Sequence, residues 1–253
     1  MSEPGLLGEI DGRGVATLTL NRPDKGNCYD RAMLGALAAE LSRLAGDAAV
    51  RLVVLRGRGR HFCAGANIGE AGSGSKAGPG IVDVCVVLDA LPKPTLALVH
   101  GACIGGGLAL AACCDIVIAE TNAFFSLPEV RLGFAPGPLM PFLLRALGYR
   151  SLRRYLLSGQ RFDGAEALRI GLVHQLAPAG ALEQALTDQV EEVLKAGPNA
   201  AADAKKILQR LAGAPITPSQ LAELQAAFEK SMGSSEAIEG RASFREKRKP
   251  TWS

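Results

Sequence analysis

The chain has 253 residues, 48% hydrophobic and 21% charged, a balance that excludes wholesale disorder. Lys and Arg number 28 against 25 for Asp and Glu, and a net charge of +3 does not by itself point to nucleic acid. A chain of this length buries roughly 70–75% of the surface its unfolded form exposes, so it needs neither metal nor disulfide staples.

The N-terminus, Met1-Ser2-Glu3-Pro4-Gly5, has no basic region and no apolar core, so no signal peptide is expected. Two strand patterns follow, Leu6–Ile10 and Val15–Leu20, joined by the hairpin signal Asp11-Gly12-Arg13-Gly14. A helix is predicted from about Asp30 to Ala45, with Met33, Leu34, Leu37, Leu41 and Leu44 along one face. Leu52–Leu55 reads as a buried strand, and Ala71 to Gly80 as a Gly/Ser-rich loop. Next come a helix around Ile81–Ala90, a strand at Pro94–Val99, a short helix from Gly106 and a strand at Ile116–Ala119. From Pro138 the pattern is mainly helical, with Leu172–Leu176 as the one clear strand. The expected layout is α/β over residues 1–180, then a helical C-terminal section over 181–253. The stretch Gly101 to Ala119 is apolar, but Asp115 and its glycines exclude an ordinary membrane span. The six cysteines include no CxxC pair and read as reduced, buried small hydrophobes, which suits the cytoplasm.

Glycine is the outlier, 30 of 253 residues, or about 12% against a usual ~7%. The densest cluster is Gly105-Gly106-Gly107, between a strand and a short apolar helix. Amides at such a helix start have no intrahelical partner, and glycine lets a ligand approach the main chain, so developing negative charge can be bound there. Close packing of helix on strand is the other reading of the same glycines. The spacing is not GxGxxG and no GK[ST] occurs, so a nucleotide loop is not expected. A second loop of small residues, His61-Phe62-Cys63-Ala64-Gly65-Ala66-Asn67-Ile68, follows the strand at Leu52–Leu55. One amide from each loop would make a two-donor oxyanion hole, each donor worth ~2.7–4 kcal/mol of barrier. His61, His100 and His174 share no metal-binding spacing, and no metal is expected. Ser73-Gly74-Ser75-Lys76 matches SxxK without its companion motifs.

Several pieces in order now carry a resemblance. They are Asn21-Arg22-Pro23, Phe62 to Ala66, Gly101 to Gly107, Ala112-Cys113-Cys114-Asp115-Ile116, Phe125 to Gly133, Pro136-Gly137 and Glu239 to Arg248. Together they resemble the crotonase superfamily of enoyl-CoA hydratases and isomerases over nearly the whole chain, nearest its bacterial methylglutaconyl-CoA hydratase-like branch. The resemblance implies stacked ββα turns forming a superhelix, with a helical C-terminal section used in trimerisation. It implies a homotrimer or hexamer acting on an acyl-CoA thioester, with coenzyme A as part of the substrate and no separate cofactor. The thioester oxygen would be held by the amides of Ala66 and Gly106. Ala64, Asn67, Ile68 and Gly105 would line the coenzyme A channel, where many relatives carry aspartate in place of Asn67. Arg22 and Lys25 are candidates for the CoA phosphates or, equally, solvated surface cations.

The carboxylates narrow the reaction. Hydratases of the family commonly hold water between two glutamates; the second matches Glu129, and the position of the first is Ala109. A methyl group moves no proton, which leaves Glu129 as the single acid/base. One carboxylate suffices for hydration or for shuttling a proton between α and γ carbons. Hydratase-like chemistry is the leading expectation, with isomerisation or decarboxylation on the same fold as the alternative. A non-catalytic acyl-CoA- or RNA-binding homologue is the other class. Only 5% aromatic residues and a near-balanced charge argue against RNA.

Overall fold

In the computed structural model, residues 3–67 and 78–252 are described. The strands β1 (Leu6–Ile10) and β2 (Val15–Leu20) form the expected hairpin, whose turn is tied by Asp11 accepting from the amides of Arg13 and Val15. Helix α1 (Arg31–Gly46) is capped by Asp30, whose carboxylate accepts from the Met33 amide at 2.8 Å. Such a cap is worth ~1 kcal/mol. The apolar positions Met33, Leu34, Leu37, Leu41 and Leu44 all turn inward, as their spacing requires.

Next come β3 (Leu52–Gly57), α2 (Ile81–Asp89), β4 (Thr95–Val99), β5 (Ala102–Ile104) and α3 (Gly106–Ala112). They are followed by β6 (Ile116–Glu120), β7 (Phe124–Ser126), α4 (Met140–Ser158), β8 (Phe162–Asp163), α5 (Gly164–Arg169) and β9 (Gln175–Ala177). Four helices end the chain: α6 (Leu182–Leu194), α7 (Pro198–Leu211), α8 (Pro218–Met232) and α9 (Ser235–Glu246).

Among the described residues there are two sheets. One has the order β1-β2-β3-β4-β6-β9 and is parallel from β2 onward; the other has the order β5-β7-β8. Successive chain segments visit both: β4 lies in the first sheet, β5 in the second, and α3 closes the turn, which is the expected ββα unit. The period-two alternation of strands sorts the large sheet's side chains. Leu18, Val53, Leu55, Ala97 and Val99 face α1 and α2, while Leu52, Val54, Leu96, Leu98 and Ile118 face α6 through Leu182, Ala185 and Val190. Burial on both faces explains why β3 and β4 read as continuous apolar runs.

Two expectations change. The strand expected at Leu172–Leu176 is Gln175–Ala177 instead. Leu172 and Val173 both donate to the Ala167 carbonyl and plug the core behind α5, so their apolar character belongs to a helix exit rather than to a strand. The short strands β5, β7 and β8 were not anticipated. The expected loop over residues 71–80 falls largely outside the described residues, which resume at Gly78.

Polar contacts tie the C-terminal helices back to the rest of the chain. Arg51, just before β3, donates to the carbonyls of Leu194 at 3.1 Å, Ala196 at 2.9 Å and Trp252. Lys205 of α7 pairs with Asp115 at 2.8 Å.

Candidate functional site

Strand register brings the two small-residue loops together. Cys63 and Cys103 form a parallel bridge in which the Cys63 amide donates to Ala102 O and the Ile104 amide donates to Cys63 O, each at 3.0 Å. Three residues beyond each cysteine come Ala66 and Gly106. Ala66 is fixed from its other side by a parallel bridge to Tyr29. The Tyr29 amide donates to Gly65 O and the Asn67 amide to Tyr29 O, both at 3.0 Å. In a parallel bridge the flanking residues make the bonds, so the Ala66 N–H points away from Tyr29 and stays free of this ladder. Gly106 opens α3, where its amide has no intrahelical acceptor. Both peptides can therefore donate to an external oxygen.

The three glycines serve different neighbours. Gly105 turns with φ +55°, and an added Cβ there would lie 2.7 Å from Glu129 Oε1. A Cβ on Gly106 would lie 2.1 Å from the Tyr29 hydroxyl oxygen. Gly107 does pack helix against strand, on the backbone and side chain of Cys63. The packing reading therefore holds at Gly107, while Gly105 and Gly106 leave room for the Glu129 and Tyr29 side chains.

Glu129 reaches this place through the small sheet. Ile104 pairs with Ser126, and Gly105 donates its amide to Ser126 O at 2.9 Å. The chain then enters a short 3-10 turn, Pro128–Leu132, that carries Glu129. An ordinary first-turn glutamate would be solvated, but Glu129 is only 8% exposed. Among the described residues, its Oε2 and Arg51 Nε are the buried side-chain polar atoms without a hydrogen-bond partner. Burial pushes the Glu129 carboxyl above its ordinary value, against a smaller lowering by its own backbone amide. A carboxylate so placed is poised to exchange a proton with a ligand. Ala109, one turn into α3, is fully buried and leaves no second carboxylate there.

The other predicted residues are placed as follows. Gly105 is buried at the turn, and Ala64 and Asn67 are half-buried beside it on the first loop. Ile68 and the SxxK match lie outside the described residues. Lys25 is exposed at the end of a 3-10 turn, Pro23–Lys25. Arg22 is engaged elsewhere, by Asp30 at 2.5 Å and the Cys28 carbonyl at 3.0 Å. Each histidine is tied to the main chain. His61 Nδ1 accepts from Ala102, His174 Nδ1 accepts from Val117, and His100 Nε2 meets Gly59 O at 2.8 Å. Among the described residues no three His, Cys, Asp or Glu gather as a metal site, and all six cysteines are free thiols.

Tyr29 was missed. In the sequence it merges into the segment that caps α1, although it is one of only three tyrosines and lies six residues after Pro23. Its position depends on Asn27, which adopts φ +56° and donates to the carbonyls of Arg58 and His61.

Comparison with known proteins places the chain in a family. The sequence profile of the enoyl-CoA hydratase/isomerase family matches residues 11–253. A putative enoyl-CoA hydratase of Thermus thermophilus is 33% identical over 252 residues, covering 96% of this chain and 98% of the relative. Among solved structures, Pseudomonas aeruginosa AtuE superposes with a TM-score of 0.92 at 38% identity, covering 98% of this chain and 99% of that one. An enoyl-CoA hydratase from Shewanella pealeana gives a TM-score of 0.92 at 32% identity, covering 98% and 96%. With paired small-residue turns, a buried glutamate beside them and a match along almost its whole length, the chain belongs to the enoyl-CoA hydratase/isomerase family of the crotonase superfamily.

Proposed function

We propose that the protein is an enoyl-CoA hydratase-like enzyme acting on an acyl-CoA thioester, with Glu129 as its single acid/base. The observation that carries this reading is the buried Glu129 carboxyl, with Oε2 unpartnered and Oε1 against the Gly105 turn. As the carboxylate, Glu129 takes a proton from water while the water oxygen bonds to Cβ. The electrons of the Cα–Cβ double bond move onto the thioester as an enolate, whose oxygen accepts from the amides of Ala66 and Gly106. The same carboxyl then returns its proton to Cα, so one water is added and the enzyme is unchanged. Each amide is worth ~2.7–4 kcal/mol of barrier.

Coenzyme A enters as part of the substrate, along Ala64, Asn67, Ile68 and Gly105 with Lys25 at the rim, and neither metal nor nicotinamide takes part. The enzyme works as a homotrimer or hexamer in the cytoplasm. Exposed Phe228 and Phe244 on the last helices support the assembly, and six free thiols suit a reducing compartment. The methyl group of Ala109 favours a second reading, since a lone carboxylate suffices to move a double bond between α and γ carbons.

The test is a panel of thioesters, including crotonyl-CoA and methylglutaconyl-CoA, in deuterated water. The expected result is water uptake with one deuteron at Cα. Migration of the double bond without water uptake would establish isomerisation instead, and loss of CO2 would establish decarboxylation. Glu129→Gln keeps the shape but not the titratable proton, so thioester affinity should hold while turnover falls about 10²–10⁴-fold. Unchanged turnover in that variant would overturn the mechanism.

A further inference from the structure

Tyr29 touches both peptides of the proposed oxyanion site, in two different ways. Its main chain holds the Ala66 segment through the parallel bridge, and its ring lies on Gly106. Three side-chain atoms, Oη, Cζ and Cε1, come within 2.9 Å of where a Gly106 Cβ would stand, so the bare glycine Cα is what admits the phenol. The ring packs partly against the core, yet Oη has no hydrogen-bond partner among the described residues. The Glu129 carboxyl occupies the matching place over Gly105. The two polar groups thus stand over neighbouring Cα atoms, about 3.8 Å apart along the chain.

We infer that the Tyr29 hydroxyl is a third donor to the thioester oxygen, joining the amides of Ala66 and Gly106 when the enolate forms. The inference rests on the acyl-CoA reading above and adds a side chain to it. A phenol suits this task as long as it keeps its proton. Burial pushes the Tyr29 phenol well above its ordinary value, with further upward pushes from Cys63, Cys85 and the Glu129 carboxylate. The hydroxyl therefore stays a neutral donor throughout the cycle, and no proton leaves it. Its hydrogen bond strengthens as charge develops on the oxygen, so its contribution falls on the transition state rather than on substrate binding.

The experiment compares the parent with Tyr29→Phe, which removes one oxygen and keeps the ring over Gly106. The probe is acetoacetyl-CoA, whose bound enolate is read directly by its near-ultraviolet band. The expected result is a smaller bound enolate fraction in the variant, displaced to higher pH, with affinity for free coenzyme A unchanged. Turnover on the active thioester should fall about 10²–10³-fold through kcat, with KM nearly constant. A purely structural tyrosine would instead weaken coenzyme A binding and lower the melting temperature together, which would overturn the inference. So would an unchanged enolate fraction in the variant. As a second variant, 3-fluorotyrosine placed at position 29 carries a more acidic hydroxyl and must raise the enolate fraction; no rise also counts against the donor role. If the parent binds acetoacetyl-CoA as enolate but turns over no thioester, the proposed reaction fails while the donor role is still decided by the band. If the parent does not bind acetoacetyl-CoA at all, both fall.

Discussion

Strand β4 hides all five of its residues, whereas α7 and α8 hide none and α9 hides only Ser243. Both regions are built from similar apolar residue types. In the sheet the alternation of strands seats the Leu and Val residues of β3 and β4 in the chain's own core, on one face or the other. In the last helices Leu208, Phe228 and Phe244 face outward, the last of them 85% exposed. The first region is complete in one chain, and the second has an apolar surface that one chain does not cover. Glu129 stands out within the well-packed part as a buried carboxyl whose Oε2 has no hydrogen-bond partner among the described residues.

The comparison can be tested by substitution. Phe125 is fully buried and stacks on Phe162 with ring centroids 5.5 Å apart. Phe125→Ala should cost about 3–5 kcal/mol in urea unfolding, the largest effect expected here. Glu129→Gln should act in the opposite direction on stability. The folded state raises this carboxyl above 4.5, so the advantage of its protonated form is complete below that value and is lost as pH rises through the folded pKa. Calorimetry should therefore find the variant melting above the parent at neutral pH, with the gap closing in acid. The same shift moves the acidic limb of the parent's kcat/KM profile upward from the ordinary value of a glutamate. Phe228→Ser should change the unfolding of a single chain least, within about 0.5 kcal/mol. Its effect should appear in light scattering, as a fall in mass at a concentration where the parent stays assembled. A variant that loses stability like Phe125→Ala, with no change in mass, would place Phe228 with the core.

Much of this division is written in local sequence. The period of Met33, Leu34, Leu37, Leu41 and Leu44 and the Asp30 cap define α1, and Asp11 to Gly14 defines the first hairpin. Glu129 and Ala109 are singled out by the resemblance to the family, since local sequence alone gives a first-turn glutamate after a proline and an alanine in a short helix. What local sequence does not carry is pairing over distance. The strands β5 and β7 have three residues each, too few to show a period, and exist because Ile104 meets Ser126 across the fold. Leu172 and Val173 show the converse, an apolar pair that fills the core without joining a ladder. Tyr29 escaped for the same reason, since its ring is placed by Gly106, far along the chain.

The order of the large sheet bears on how the chain is made. From β1 through β2, β3, β4 and β6 to β9, each strand takes its place at the edge left open by the one before it. No strand has to be inserted between two that are already joined. A chain emerging from the ribosome at about 5–20 residues per second can therefore lengthen its sheet in the order of synthesis. The exposed edge passes from strand to strand until β9 ends the series, and the carbonyls that Arg51 gathers, at Leu194, Ala196 and Trp252, all come after it.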